Sequence, residues 1–437
     1  MKILYLADNR ARGNYGCRAT STALSLLTRE DHEITGVISG RYTNTDVNNL
    51  LYHKCIPGWV YKLLSKTRYL KFLRVIFYKV ARRIKGRNYF FSNFDYVSWD
   101  MEEMIRNVKR ATPANPYLNE FNIDNYDFDA MVVNGEGSFI FSTPGWRESL
   151  VMTMCMYWAI KNGKKVFFMN AMFSDEPYSE RNMKTIKLVS SVFEKCSCVV
   201  AREKESFNYI KENMPTVNVT LIPDALFTWY NMINDGFKVE NYKYFMPHVA
   251  ECDEAYTAFD FTKPYILVSG SSSAKISLYT EKAISIYSKL VESLKKVYEG
   301  NVYLIQVCEG DEFLKEVAQN TRTQLISMET PIVAAAKILA QADVFVSGRY
   351  HPAIMATQGG TPCVFMSSNS HKTRSLQELL EYENIKEFNV LPSDDEIQEM
   401  CNMVLYYLNN MDITRERIQK KAFDIYKQAR TMKDLIK

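Results

Sequence analysis

Short apolar runs alternate with mixed, helix-like stretches along most of the chain, and their lengths suit strands more than helices. In the first half these runs are KILYLAD (2–8), EITGVIS (33–39), AMVVNG (130–135), KKVFFMNA (164–171), CSCVVA (196–201) and VTLIPD (219–224). Helical patterns over 18–28 and 147–161 fall between them, the order expected of a parallel, doubly wound sheet. A second series follows with YILVSG (265–270), NVYLIQV (301–307), TQLISM (323–328), DVFVSG (343–348) and PCVFMS (362–367). Helices over 280–297, 311–319 and 331–341, and one from about Pro352, separate them. The predicted fold class is therefore α/β, with two Rossmann-like doubly wound domains facing a central cleft at the carboxyl ends of their sheets. The first domain is expected over 1–245, with an insertion at about 48–125, and the second over 246–437. The aromatic, polar stretch after Asp224 would connect them, and a last amphipathic helix over 413–430 can cross back to the first.

At 437 residues the chain exceeds one ordinary domain, and 47% hydrophobic with 24% charged residues excludes disordered and collagen-like classes. Nowhere are there about 18 uninterrupted apolar residues, so no membrane span is expected. MKILYLADNR reads as a first buried strand, not a secretory signal. The nine cysteines are odd in number and scattered, without a CxxC pair or a zinc-type spacing. Reduced thiols in a cytoplasm are expected, with Cys196 and Cys198 filling the core from one face of a strand. The net charge of +4 is small but uneven. Between Val47 and Phe94 no acidic residue occurs, while Lys62, Lys66, Arg68, Lys71, Arg74, Lys79, Arg82, Arg83, Lys85 and Arg87 alternate with aromatic and aliphatic residues. This basic helical insertion either packs its apolar side on the domain or docks peripherally on an anionic inner membrane face. No helix-turn-helix, finger or RNP signature accompanies it, which argues against a nucleic-acid partner.

The strongest chemical signal is Ser347-Gly348-Arg349-Tyr350-His351-Pro352. A buried strand ends there and a helix begins, so Arg349 and His351 emerge beside a helix amino terminus, where anions bind. Arginine grips a carboxylate or phosphate bidentately, and histidine exchanges protons near neutral pH. The competing reading is an arginine in a salt bridge and a histidine with satisfied hydrogen bonds. Other strand ends add candidates. Asn14 to Arg18 would present backbone amides; Asn134-Gly135-Glu136-Gly137-Ser138 would bring the Glu136 carboxylate to a sheet rim, where it can act as a base. Arg202 follows a buried strand, where an ion pair with Glu203 or Glu205 is the alternative. Ser271 lies in a hydroxyl-rich loop suited to a phosphate, and Lys372 follows a further strand. His32, His53 and His248 have no such context.

Taken together these residues resemble the polysaccharide pyruvyl transferase family. The pattern comprises Asn14-Tyr15-Gly16-Cys17, a glycine-rich turn at 134–138, Arg202 with Ser206, Pro223-Asp224, Ser347 to His351, Gly360-Thr361-Pro362 and Lys372. Two positions depart from it: Cys17 stands for an aspartate and Glu136 interrupts a glycine run. The resemblance implies a glycosyltransferase B-like fold. It also implies a reaction in which phosphoenolpyruvate, a donor substrate and not a cofactor, gives its pyruvyl group to two hydroxyls of a sugar as a cyclic ketal. In that scheme Arg349 and Arg202 hold the donor's carboxylate and phosphate, His351 is the general acid or assists departure of phosphate, and Glu136 is the base for the acceptor hydroxyl. Asn14, Gly16, Gly135, Gly137, Ser138, Ser271, Ser347, Tyr350 and Lys372 would bind substrate, and no metal is required. The acceptor would be a sugar of a cell-surface polysaccharide or its polyprenyl-diphosphate-linked precursor. A nucleotide-sugar glycosyltransferase of the same fold is the rival, although no acidic residue for a ribose occurs between Gly348 and Gly360. A non-catalytic membrane scaffold is the third reading.

Overall fold

The computed structural model describes residues 1–39, 97–112, 116–143, 145–176, 179–238 and 259–437. The basic aromatic stretch, His53 and His248 lie outside the described residues, as does the expected domain boundary at 245. The chain forms two compact units: Met1–Ala11, Ser25–Ile222 and Met432–Lys437 make the first, Arg12–Leu24 and Pro223–Thr431 the second.

The first unit carries a six-stranded parallel sheet in the order β2-β1-β3-β4-β5-β6. Its strands are β1 (Lys2–Asp8), β2 (Glu33–Ser39), β3 (Ala130–Ile140), β4 (Lys165–Ser174), β5 (Cys198–Ala201) and β6 (Val219–Leu221). Helices α1 (Tyr15–Arg29), α2 (Met101–Ala111), α3 (Arg147–Lys161), α4 (Met183–Phe193) and α5 (Lys204–Asn213) connect them, α1 being divided between the units after Leu24. Both β3 and β4 are buried along nearly their whole length, as strands covered on both faces must be. Phe168 is central to the core, meeting Phe139 edge-on at 4.9 Å and Phe193 at 4.6 Å between ring centroids. The described part of the expected insertion holds α2, which buries Met101, Met104, Ile105 and Val108 in the same core, and two short 3-10 turns, Pro116–Phe121 and Ile123–Asn125, which add Leu118, Phe121 and Ile123.

The second unit carries a five-stranded parallel sheet in the order β11-β10-β7-β8-β9. Its strands are β7 (Tyr265–Ser271), β8 (Asn301–Ile305), β9 (Leu325–Ile326), β10 (Val344–Gly348) and β11 (Cys363–Phe365). Its helices are α6 (Ala274–Leu278), α7 (Thr280–Val297), α8 (Leu314–Thr321), α9 (Ile332–Gln341), α10 (Tyr350–Gln358), α11 (Lys372–Leu379), α12 (Asp394–Asn409) and α13 (Met411–Arg430). From α13, Arg415 donates to the carbonyls of Ala340, in the last turn of α9, and Gly359, just past α10, satisfying acceptors at both helix ends. Among the described residues no helix is long and apolar enough to cross a membrane.

Three local expectations are corrected. The glycine-rich segment at 134–138 is not a turn: β3 runs on to Ile140, with a register shift against β4 between Glu136 and Phe139. Gly135 is needed there for close approach, since a Cβ would lie 2.5 Å from that of Ala171. The helix expected from Pro352 begins at Tyr350, with Arg349 as its N-cap. Proline is tolerated two residues further in because amides of the first turn have no intrahelical acceptor. Cys196 lies ahead of β5, its amide bonded to the Phe193 carbonyl, so it does not share a strand face with Cys198.

Candidate functional site

In the second unit the carboxyl end of β10 turns on a hydroxyl. Ser347 Oγ accepts the amide of Arg349 at 2.9 Å and pairs with Ser269 Oγ on β7 at 2.7 Å. The turn delivers Arg349 to the N-cap of α10 and His351 to its first turn. Tyr350 is buried between them, its ring edge-on to His351 at 5.1 Å.

His351 is held from two sides. Its Nε2 lies 3.2 Å from Asp224 Oδ2, a carboxylate with no exposure. The other carboxylate oxygen accepts the hydroxyl of Thr20 at 3.1 Å and the amide of Leu226 at 2.9 Å. On the opposite side α1 brings up Gly16, where a Cβ would stand 2.4 Å from His351 Nδ1. Asn14 supports this approach: its Oδ1 accepts the Cys17 amide at 3.3 Å, and the Tyr15 amide bonds the Val307 carbonyl at 2.9 Å. When Nε2 carries its proton it donates to Asp224. Asp224 also compensates the charge of a doubly protonated ring.

Arg349 is equally fixed. Its Nη2 meets Asp311 Oδ1 at 2.5 Å. Asp311 lies beyond β8 with no exposure, and its second oxygen accepts the Val307 amide at 3.3 Å. Burial pushes the Asp311 carboxyl up, and the neighbouring guanidinium pulls it back. For Arg349, burial pulls down while Asp311 holds the guanidinium above its ordinary value. Its Nε is buried and has no hydrogen-bond partner among the described residues. Gly270 makes room for the pair, since a Cβ there would come within 2.1 Å of Asp311 Oδ1.

The neighbouring loops are tied together. Ser271 Oγ donates to the Ser367 carbonyl at 2.6 Å, and Gly348 lets Ser271 in, its missing Cβ lying 2.5 Å from that of Ser271. Lys372, the first residue of α11, donates to Asn369 Oδ1 at 2.7 Å, which also accepts Ser272 Oγ at 3.1 Å. So Asn14, Gly16, Ser271, Ser347, Arg349, Tyr350, His351 and Lys372 all belong to the second unit's sheet edge or the helix packed on it.

Glu136, Gly135, Gly137, Ser138 and Arg202 belong to the first unit. Glu136 is 8% exposed and accepts Asn9 Nδ2 at 2.6 Å. Ser138 Oγ donates to Glu148 at 3.2 Å, and a Cβ on Gly137 would meet nothing within 4 Å. Arg202 follows β5, is 2% exposed, and its amide bonds the Ala171 carbonyl at 3.0 Å. Glu203 caps α5, accepting the Ser206 amide at 2.8 Å. The competing readings of Arg349 and His351, a salt bridge and a satisfied ring, are both met in this structure. Asp224, Asp311 and Asn9 were not singled out as site residues from sequence. Asp224 had a signal in Pro223-Asp224, whereas Asp311 and Asn9 had none. Among the described residues no group of three or more His, Cys, Asp or Glu side chains could hold a metal ion.

Two parallel α/β sheets, with polar side chains gathered at their carboxyl edges, define a glycosyltransferase B-like protein. The chain belongs to the polysaccharide pyruvyl transferase family, whose model matches residues 38–370. No curated protein sequence matches it. Among solved structures it is similar to the UDP-GlcNAc 2-epimerase of Neisseria meningitidis bound to UDP-GlcNAc. That match has 13% identity and a TM-score of 0.53, and covers 100% of this chain and 98% of that one. A second UDP-N-acetylglucosamine 2-epimerase matches at 12% identity and a TM-score of 0.52, over 99% and 94% of the two chains. At such identities the likeness is one of fold.

Proposed function

We propose that this transferase moves the pyruvyl group of phosphoenolpyruvate onto two hydroxyls of a polysaccharide sugar as a cyclic ketal. The observation that carries the reading is the pair of buried carboxylates that fix Arg349 and His351 two residues apart at one helix start, in a member of this family. Arg349 binds the donor's carboxylate or phosphate, with its buried Nε in want of an acceptor. Arg202 is assigned to substrate from the first unit, and Lys372 with Ser271 and Ser347 to the phosphate side.

The chemistry balances with groups of the types present. His351 gives a proton to the enol methylene, which becomes a methyl group and leaves a cationic carbon C2. One sugar hydroxyl oxygen bonds to C2 as its proton passes to Glu136. The second hydroxyl oxygen then bonds to C2 as the C2–O bond to phosphate breaks, its proton leaving with inorganic phosphate. Asn14, Gly16, Gly135, Gly137, Ser138 and Tyr350 shape the surroundings. No metal or cofactor enters this scheme.

Calorimetry tests the donor choice. Phosphoenolpyruvate should bind and a uridine diphosphate sugar should not; the reverse would favour the glycosyltransferase reading. The acceptor is proposed to be lipid-linked, held in the cytoplasm at the inner membrane face by the basic stretch over 62–87. Full-length protein should bind anionic vesicles, and Lys/Arg→Gln changes across that stretch should abolish binding. Unchanged binding removes the idea.

A further inference from the structure

Helix α1 follows β1 in the chain, yet Arg12–Leu24, the first half of the helix included, belongs to the second unit. Bonds to the loops beyond β8 and β9 hold it there. Asn14 forms an isolated antiparallel bridge with Cys308, and the Tyr15 amide donates to the Val307 carbonyl at 2.9 Å. Beyond β9, the hydroxyl of the fully buried Tyr15 donates to the Ser327 carbonyl at 2.5 Å. The Arg18 guanidinium donates to the Met328 carbonyl and, at 3.4 Å, to that of Thr330, and its Cζ lies 5.2 Å from the centre of the Tyr15 ring. Half-buried, this guanidinium has given up water for the carbonyls, and burial draws its pKa down.

These side-chain bonds are not needed to finish the helix. Asn14 already caps it, its Oδ1 accepting the Cys17 amide at 3.3 Å. What they add is a fixed place for the helix start. Tyr15 and Arg18, three residues apart, share one face of α1, while Gly16 and Thr20, four apart, share another. That second face meets His351 on both sides of its ring. A Cβ on Gly16 would stand 2.4 Å from His351 Nδ1, and the Thr20 hydroxyl donates at 3.1 Å to Asp224, the carboxylate at Nε2. A shift of the helix start therefore moves both neighbours of the ring at once, and the Gly16 side has no room for even one more carbon.

We propose that Tyr15 and Arg18 are positioning residues. By fixing the start of α1 on the loops beyond β8 and β9, they hold Gly16 and Thr20 against His351 and Asp224 and so set the orientation of the imidazole ring. The proposal rests on the reading of His351 as the general acid of the reaction. Arginine suits the task because its fork of donors reaches two carbonyls of one loop, and tyrosine because a rigid ring carries its hydroxyl across buried surroundings to a third.

Arg18→Met keeps the apolar stem and Tyr15→Phe loses only the hydroxyl; both are made in the full chain, with thermal melts to confirm folding. Each should lower kcat about tenfold and leave KM for phosphoenolpyruvate within about twofold, because neither removes a group assigned to the donor. Gly16→Ala, which drives a methyl into the ring, should cost about a hundredfold. Combined with Arg18→Met, which lets α1 yield, the loss should stay at or below that of Gly16→Ala alone, whereas independent effects multiply to about a thousandfold. A thousandfold loss in the double variant, or wild-type kcat in both Arg18→Met and Tyr15→Phe, overturns the proposal. A readout free of turnover follows the five histidine rings by NMR of protein labelled at their Cε1 carbons. The His351 signal, assigned by its absence in His351→Ala, should move in Arg18→Met and in Tyr15→Phe; a signal unmoved in both overturns the proposal. If the wild type does not consume phosphoenolpyruvate, the reading of the reaction fails, and the ring signal still decides the role of Tyr15 and Arg18. Should Arg18→Met not fold, Tyr15→Phe carries both arms, alone and with Gly16→Ala.

Discussion

His351 is set by one neighbour that bonds it and one that makes space for it. Asp224 fixes Nε2, and Gly16 lets the ring lie against the start of α1. The account predicts graded losses in one series. His351→Ala removes the proposed acid and should lower kcat by about 10²–10⁴. Asp224→Asn keeps the shape but loses the charge beside the ring and should cost about tenfold to a hundredfold. Gly16→Ala removes no reacting group yet drives a methyl into the ring, so kcat should fall by about a hundredfold through misplacement alone. Steady-state kinetics with thermal melts to confirm folding check the series. Wild-type kcat in folded His351→Ala would remove the residue from the chemistry. Arg349 follows the same design, with Asp311 as its anchor and Gly270 as the gap. In the proposed reaction the donor would meet an arginine already paired with one carboxylate.

At the scale of elements, much was legible in the sequence because parallel strands buried on both faces write themselves as apolar runs. The helices over 147–161 and 280–297 were readable to the residue, and the turn into α10 was readable in outline. The pattern fails at β3, where Asn134 to Ser138 reads as a turn and forms a strand. Glycine signals close approach as readily as a bend, and only the position of Ala171 on β4 decides between them. The site was legible unevenly for a similar reason. Glycines, Arg349 and His351 stand at strand ends, where a pattern points to them. Two partners do not: Asp311 ends a short 3-10 turn after β8, and Asn9 reaches Glu136 across 127 positions of sequence. Such pairings come from tertiary folding and leave no local trace.

On the scale of the whole molecule, the two units divide the polar residues by type. The second gathers Arg349, His351 and Lys372 with serine hydroxyls, which suits an anionic donor. The first gathers Glu136 and Arg202 with the buried amides of Asn9, Asn134 and Asn170, and the proposed acceptor is a neutral, hydroxyl-bearing sugar. Membership of the family sets the class, a transferase; the donor and the acceptor are those of the proposed function. The most direct test is to incubate the full-length wild type with phosphoenolpyruvate and a panel of surface-polysaccharide sugars, following the mixture by proton and phosphorus NMR. A new methyl singlet of a pyruvyl ketal, formed in step with an equal amount of inorganic phosphate, is the result predicted. Phosphoenolpyruvate left intact with every acceptor, while a nucleotide sugar is consumed under the same conditions, would contradict it.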